Sequence, residues 1–341
     1  MDIQKLGFDT INLGHGSGGL MTRDLLDNII FQTFDNPILD KKHDGAIVNF
    51  EGRIAISTDS FVVSPVFFKG GNIGELAVHG TVNDVAMCGA IPKYISLAFI
   101  IEEGLILSEF ITIVKSIKKA ADESGVHIIT GDTKVVEKGK GDKIFINTTG
   151  FGPLHPKANI STMRIREGDS IVLSGSIATH GMAIMSERQG LEFESDIVSD
   201  TTNLNYLVRD LLDAFGDQIH FLRDPTRGGL SGVLTEIVQD TGIGISIFED
   251  RIPIEKQVAA ACEILGLDPL YVANEGVFIA IVDKAIETSV IQFMQKDVKG
   301  PNAVCIGEMT TAASAKVILN SRIGGKRIVS PLIGEQLPRI C

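Results

Sequence analysis

The sequence has no tryptophan and only three tyrosines in 341 residues. Single-stranded nucleic acid is usually gripped by aromatic rings stacked on its bases, so that ligand has no platform here. Positive charge is in deficit as well: 31 lysines and arginines stand against 43 aspartates and glutamates, a formal net charge of −12. Phosphate backbones are bound by clustered cations, so nucleic acid is disfavoured twice. Cysteine is scarce. Four thiols with no CxxC pair make neither a disulfide scaffold nor a zinc or iron–sulfur framework. Cys88, Cys262 and Cys305 lie in apolar runs and are expected to be small buried hydrophobes. Long apolar runs are missing too. The longest, 95–107, is broken by Glu102-Glu103-Gly104 and cannot span a bilayer, so no membrane association is expected. No basic segment precedes an apolar core at the start, so a signal peptide is not expected and a reduced, cytoplasmic setting is. There is no GxxxxGK(S/T), hence no P-loop.

What is present is alternation. Helical periods are expected at 21–34, 72–88, 108–123, 180–189, 203–214, 230–240, 255–266 and 284–296. Strand patterns fall at 53–58, 94–101, 126–130, 144–150, 170–174, 244–248, 277–282, 303–308 and 315–320. Such interleaving means α/β layers. A turn-rich segment, Gly152-Pro153-Leu154-His155-Pro156, marks a boundary, and the length leaves room for a core on each side of it. The chain divides into a glycine-rich arm with the first helix (1–40), a first domain (41–153), a second (154–330) and a tail (331–341).

Five aspartates share one setting. Asp44, Asp59, Asp84, Asp132 and Asp224 are all expected at strand ends, helix ends or glycine loops. Each alone reads as a turn or capping acid. Together they could gather around a magnesium ion, which takes hard oxygen ligands and is commonly shared with a substrate phosphate. Asp84 sits near the C-terminal end of its helix, where a carboxylate opposes the dipole and a cation would compensate it. The cluster Gly14-His15-Gly16-Ser17-Gly18-Gly19 formally fits GxGxxG, but no convincing strand precedes it. Two readings stand: a loop whose N–H groups wrap a phosphate, or a mobile arm.

The tail carries the sharpest signal. Pro338-Arg339-Ile340-Cys341 puts a thiol on the last residue, beyond a stretch with no helical or strand period. From Pro331 an extended path reaches roughly 35 Å, enough to cross a domain face. One reading is a frayed terminus; the other is a tethered substrate presented to the chain's own active site.

These segments resemble the HypE family of hydrogenase maturation factors, within the aminoimidazole ribonucleotide synthetase (PurM-like) ATP-binding superfamily. The resemblance runs end to end. It rests on the glycine cluster at 14–19, His43-Asp44-Gly45-Ala46, Ser57-Thr58-Asp59-Ser60, the run from Asn83 to Ala90, Gly131-Asp132-Thr133-Lys134, Asp224-Pro225-Thr226-Arg227-Gly228-Gly229, Asn274-Glu275-Gly276 and the terminal cysteine motif. It implies mixed α/β sheets in a two-domain PurM-like fold. The first domain would contribute to a dimeric β-barrel in a homodimer, beside a larger second α/β domain and a flexible tail. It implies a reaction: a HypF-type carbamoyltransferase loads Cys341, ATP drives dehydration of the thiocarboxamide to a thiocyanate, and a HypC–HypD scaffold receives the cyanide. It also implies site residues. Gly16, Gly18, Gly19, Asp59, Asn83, Asp84, Asp132 and Thr133 would hold ATP, and Asp44, Asp59, Asp84 and Asp224 would hold Mg²⁺. Lys134 and Glu275 would orient the carbamoyl group and move its proton. Rival readings are a kinase or synthetase of the same superfamily (thiamine-phosphate kinase or selenophosphate synthetase type), neither of which needs a terminal cysteine, and a nucleotide-binding adaptor.

Overall fold

The structure, a computed structural model, describes residues 8–17, 19–41, 45–188, 197–313, 315–332, 334, 337 and 339–341. Near the start, α1 (Leu20–Leu25), a π-helical stretch (Leu26–Ile30) and α2 (Phe31–Phe34) run on as one helix, which buries Leu25, Ile29 and Phe34. The first domain continues with β1 (Ile54–Phe61), a ladder of β2 (Phe67–Phe68) and β3 (Gly71–Asn72), α3 (Ile73–Met87), β4 (Tyr94–Glu102), α4 (Leu107–Ser124), β5 (His127–Val136) and β6 (Ile144–Pro153). Asn72 starts α3 by accepting the Gly74 N–H, leaving one fewer orphan donor at the helix end. The four-stranded sheet has the order β1-β6-β4-β5, antiparallel except for the parallel β4–β5 pair, whose strands are joined through α4.

One face of this sheet packs on α3 and α4, and that packing is the first core. Among the described residues no helix lies on the other face, where Phe50 packs edge-on against Tyr94 and Phe151. By strand register Ile54 and Ile56 of β1, Phe151 of β6, Ile100 of β4, and Asp132 and Lys134 of β5 all lie on it. Ile56 is 62% and Ile100 45% exposed, an apolar surface on a sheet open at both edges.

The second domain holds β7 (Ser170–Leu173), α5 (Thr179–Arg188), α6 (Asn205–Phe215), β8 (Ile219–Arg223), α7 (Gly229–Thr241), β9 (Gly244–Phe248), α8 (Lys256–Leu265), β10 (Ile279–Val282), α9 (Glu287–Met294), β11 (Val304–Thr310), β12 (Val317–Asn320) and β13 (Lys326–Val329). Its seven strands run β13-β12-β9-β11-β7-β10-β8. Strand alternation splits the core in two: Ile279 and Ile281 face α7, while Ala280 and Val282 face α6 and α9. The last turn of α3 enters this second core through Ala86 and Met87, so an apolar seam joins the domains.

Several expectations are corrected. Asp59 and Asp132 lie inside β1 and β5 rather than at strand ends. Asp59 is tolerated inside β1 because it opens on a polar cavity and Asp132 inside β5 because its face meets solvent. Gly131 lets β5 run against β4, since a Cβ there would sit 2.0 Å from the Leu97 carbonyl oxygen. Four strands are not expected from the sequence: the two-residue β2 and β3, and β8 and β13. β8 hides in Ile219-His220-Phe221-Leu222-Arg223 because its buried histidine is paired with Asp169 at 2.7 Å and so does not read as core. Cys88 is exposed, not buried, because α3 ends just before it. Cys262 and Cys305 are buried as expected. Helix 284–296 is shorter, a 3₁₀ turn followed by α9.

Candidate active site

A cavity of about 600 Å³ opens between the domains, lined by Ser57, Asp59, Asp84, Asp224, Arg227, Glu275 and Cys341 among others. The acids arrive by separate routes. Ser57 and Asp59 point inward from β1; Asp84 is on the last turn of α3; Asp224 follows the final residue of β8. Glu275 sits on the loop before β10, 3% exposed. Two asparagines fix these loops. Asn274 donates to the Pro225 carbonyl at 2.8 Å and accepts the Ala178 N–H at 2.6 Å, which ties the loop carrying Glu275 to the one carrying Asp224. Asn83 donates to the Thr202 and Glu275 carbonyls and accepts the Leu204 N–H. Its amide is thus fully engaged within the protein.

Crowded acids in a buried cleft repel one another. Burial first and the Asp84 charge second push Asp224 up to about 7. Burial likewise raises Asp84, against the 2.7 Å hydrogen bond donated by Ser57. Glu275 is raised well above the carboxylate range by burial, then by Asp224 and Asp200. Two cations face them: Arg227, which donates to Asp59 Oδ1 at 2.7 Å and lies 73% exposed at the mouth, and Arg223, which also lines the cavity and pairs with Glu236 at 3.2 Å.

The tail is docked into this cleft. The Val62 N–H donates to the Cys341 carbonyl and the Ser64 N–H to that of Arg339, an antiparallel pairing just beyond β1. Ile340 is buried in the first core, and Arg339 pairs with Asp142. Cys341 is partly buried, and its thiol is pushed up by burial and by Glu275, so at rest the sulfur is protonated.

The other expected residues lie elsewhere. Gly16 packs on the main chain of Val135 in β5, where a Cβ would come within 2.5 Å of its nitrogen. Gly19 caps α1. Asp132 and Thr133 border a separate cavity of about 140 Å³ beneath the 20–34 helix. Lys134 is an exposed residue of β5. β1 and β5 are opposite edges of the sheet, three spacings or roughly 14 Å apart. One chain therefore groups Asp59, Asp84, Asp224, Glu275 and Cys341, and keeps Gly16, Gly19, Asp132, Thr133 and Lys134 together at a distance. Gly18 and Asp44 fall outside the described residues.

Comparison with known proteins decides the family. The AIR synthase related N-terminal and C-terminal domain models match residues 42–154 and 166–320. Carbamoyl dehydratase HypE of Bradyrhizobium diazoefficiens is 48% identical over 332 residues, 97% of this chain and 96% of that protein. A crystal structure of the hydrogenase maturation protein HypE in complex with ATP superposes with a TM-score of 0.94 at 45% identity, covering 97% of this chain and 100% of that one. A HypE–HypF complex matches with a TM-score of 0.80 at 44% identity, covering 90% and 99%. The chain belongs to the HypE family. It is an enzyme of the carbamoyl dehydratase class, and its two-domain α/β fold is that of HypE structures.

Within this HypE-family site, no three His, Cys, Asp or Glu side chains among the described residues form a ready cage for a metal. The acid-lined cleft nevertheless fits Mg²⁺ shared with phosphate, which needs only one or two protein carboxylates. Asp224, raised in part by the Asp84 charge, and Asp84, raised in part by that of Asp59, are the pair a cation would relieve. Sequence reasoning missed three contributors. Asp200 accepts the Glu275 and Gly276 N–H groups, and His180 and Arg188 hold the tail's main chain. None sits in a motif, and only the fold brings them to the site. Among the described residues no helix is long and apolar enough to cross a membrane.

Proposed function

We propose that this chain dehydrates a carbamoyl group carried on its own Cys341 to a thiocyanate, at the expense of ATP, during cytoplasmic maturation of a [NiFe] hydrogenase. The observation that carries the reading is the shared cavity: the terminal thiol lies in the same acid-lined cleft as Asp59, Asp84, Asp224 and Glu275.

An amide oxygen is a poor leaving group. The carbamoyl oxygen attacks the γ-phosphoryl group of ATP, ADP departs, and the oxygen becomes a phosphate ester. One of the two nitrogen protons leaves as the oxygen is phosphorylated, giving an O-phosphorylated imidate with a C=N–H bond, and loss of the second proton expels phosphate and leaves S–C≡N. Asp59, Asp84 and Asp224, with Asp44, would hold Mg²⁺, which when bound neutralises charge on the phosphates. Glu275, buried in the same cleft as the Cys341 thiol, is the carboxylate placed to accept the second proton. Docking the tail makes the reaction intramolecular, replacing a diffusional encounter with a fixed approach. The protonated, partly buried thiol of the docked tail is a weak nucleophile, so loading by a HypF-type carbamoyltransferase takes place with the tail swung out, as does transfer to a HypC–HypD scaffold.

A second copy completes the site. The sheet face opposite the helices, carrying Ile56 and Ile100, supports closure of two four-stranded sheets into a barrel. That pairing would deliver the partner's β5, with its Asp132, Thr133 and Lys134, to this chain's cleft, and with it the Gly16–Gly19 loop toward the nucleotide. The division of the site residues between the two sheet edges favours this arrangement.

Replacing Cys341 by Ala tests the reading. ATP binding is expected to stay and all thiocyanate formation to vanish; a small-molecule kinase would keep its turnover, and an adaptor would show no dehydration in either form.

A further inference from the structure

We propose that His180 is the receptor for the tail: its Nε2–H grips the Ile340 carbonyl and thereby sets where the Cys341 sulfur sits. His180 is wholly buried in the first turn of α5, 2.9 Å from that carbonyl oxygen. A carbonyl only accepts, so Nε2 carries the hydrogen. Nδ1 then accepts from the Ser199 hydroxyl at 2.7 Å, and Ser199 Oγ takes the Thr201 N–H at 3.2 Å. The tautomer is fixed from behind.

Two consequences follow from this geometry. The grip is on main chain, one residue before the thiol, so it is indifferent to whether the sulfur carries hydrogen, carbamoyl or nitrile. When the tail leaves, a buried donor loses its acceptor, which favours the docked state. The loop that orients the imidazole also holds the base. Asp200, next to Ser199, accepts the N–H groups of Glu275 and Gly276 at 3.3 and 3.1 Å. Tail docking and the placement of Glu275 therefore share one support, and His180 acts as a positioning residue.

The inference deepens the proposed reaction and rests on it, but its test does not. Alkylation of the full chain by a maleimide, read by peptide mass spectrometry, reports Cys341 against exposed Cys88 as an internal standard. His180→Ala should raise the Cys341:Cys88 rate ratio by about tenfold, the scale set by leaving one buried carbonyl, that of Ile340, without its donor. Ser199→Ala, which keeps the imidazole, should raise it less, and His180→Gln, which retains an N–H donor, should restore most of the protection. In the dehydration assay His180→Ala should lower kcat and leave the KM for ATP unchanged. An unchanged ratio in His180→Ala, or Cys88 and Cys341 rates rising together as in general loosening, overturns the proposal. If the unmodified chain fails to dehydrate its carbamoylated tail while the ratio still responds, the reaction assignment falls and the receptor role stands.

Discussion

Asp224 and Glu275 set the pH behaviour. Folding lifts Asp224 from the ordinary carboxylate range to about 7 and Asp200 to about 6, so the folded chain binds more protons than the unfolded one in between. Stability is then highest at low pH within this window and declines as pH rises from about 4 to about 7. Melting curves of the nucleotide-free protein should show that decline, and Asp224→Asn should flatten it and raise the melting temperature at its alkaline end. The same substitution should weaken Mg²⁺-dependent ATP binding, since it removes a proposed ligand. Glu275→Gln should cut dehydration by about 10²–10⁴-fold, the usual worth of a positioned base, with ATP binding retained. A steady-state rate within a few-fold of the parent would remove Glu275 from that role. At this scale the sequence was informative about identity and silent about company. Asp84, Asp224 and Glu275 stood out beside glycine or asparagine, yet nothing local showed that they share a cavity. Asp200 and His180 were invisible because their value lies in which main-chain groups they meet.

The elements matter through their ends. Asp84 closes α3, Asp224 follows β8, and the Glu275 loop leads into β10, which pairs with β8. Periodicity exposed α4, whose apolar positions recur on one buried face, whereas α3 is buried on nearly every side. It missed β8, five residues with a buried histidine, and cut β5 short at Gly131. Both lapses fell where polar residues replace the apolar pattern that periodicity relies on, beside the cleft in β8 and at the far edge of the sheet in β5. Gly276 shows how tightly the loops are joined: a Cβ there would lie 1.8 Å from the Asp200 carbonyl oxygen. Gly276→Ala should therefore destabilise the fold by about 1–3 kcal/mol, as overpacking does, and displace Glu275. Denaturant titration alongside the dehydration assay checks it; full stability with full activity would refute the close packing of these loops.

For the whole molecule, the two-domain plan was legible from interleaved periods and the boundary near Pro153, and the family resemblance supplied the reaction. The docked tail was not, because the tail has no period; it is held by main-chain bonds to Val62, Ser64 and His180. Completion of the site by a second copy predicts complementation. Mixed Lys134→Ala and Cys341→Ala chains, each inactive alone, should recover roughly a quarter of the parent activity, because half the dimers then hold one intact site of two. Recovery of nothing, with mixed dimers verified, would place Lys134 outside the partner's cleft. The central claim, that the terminal sulfur is cargo for the chain's own cavity, is tested most directly by intact-mass spectrometry after incubation with a carbamoyl donor and then Mg-ATP. The account predicts a gain of one carbamoyl group on Cys341 followed by loss of one water. A carbamoylated chain that keeps its full mass while ATP is consumed would contradict it.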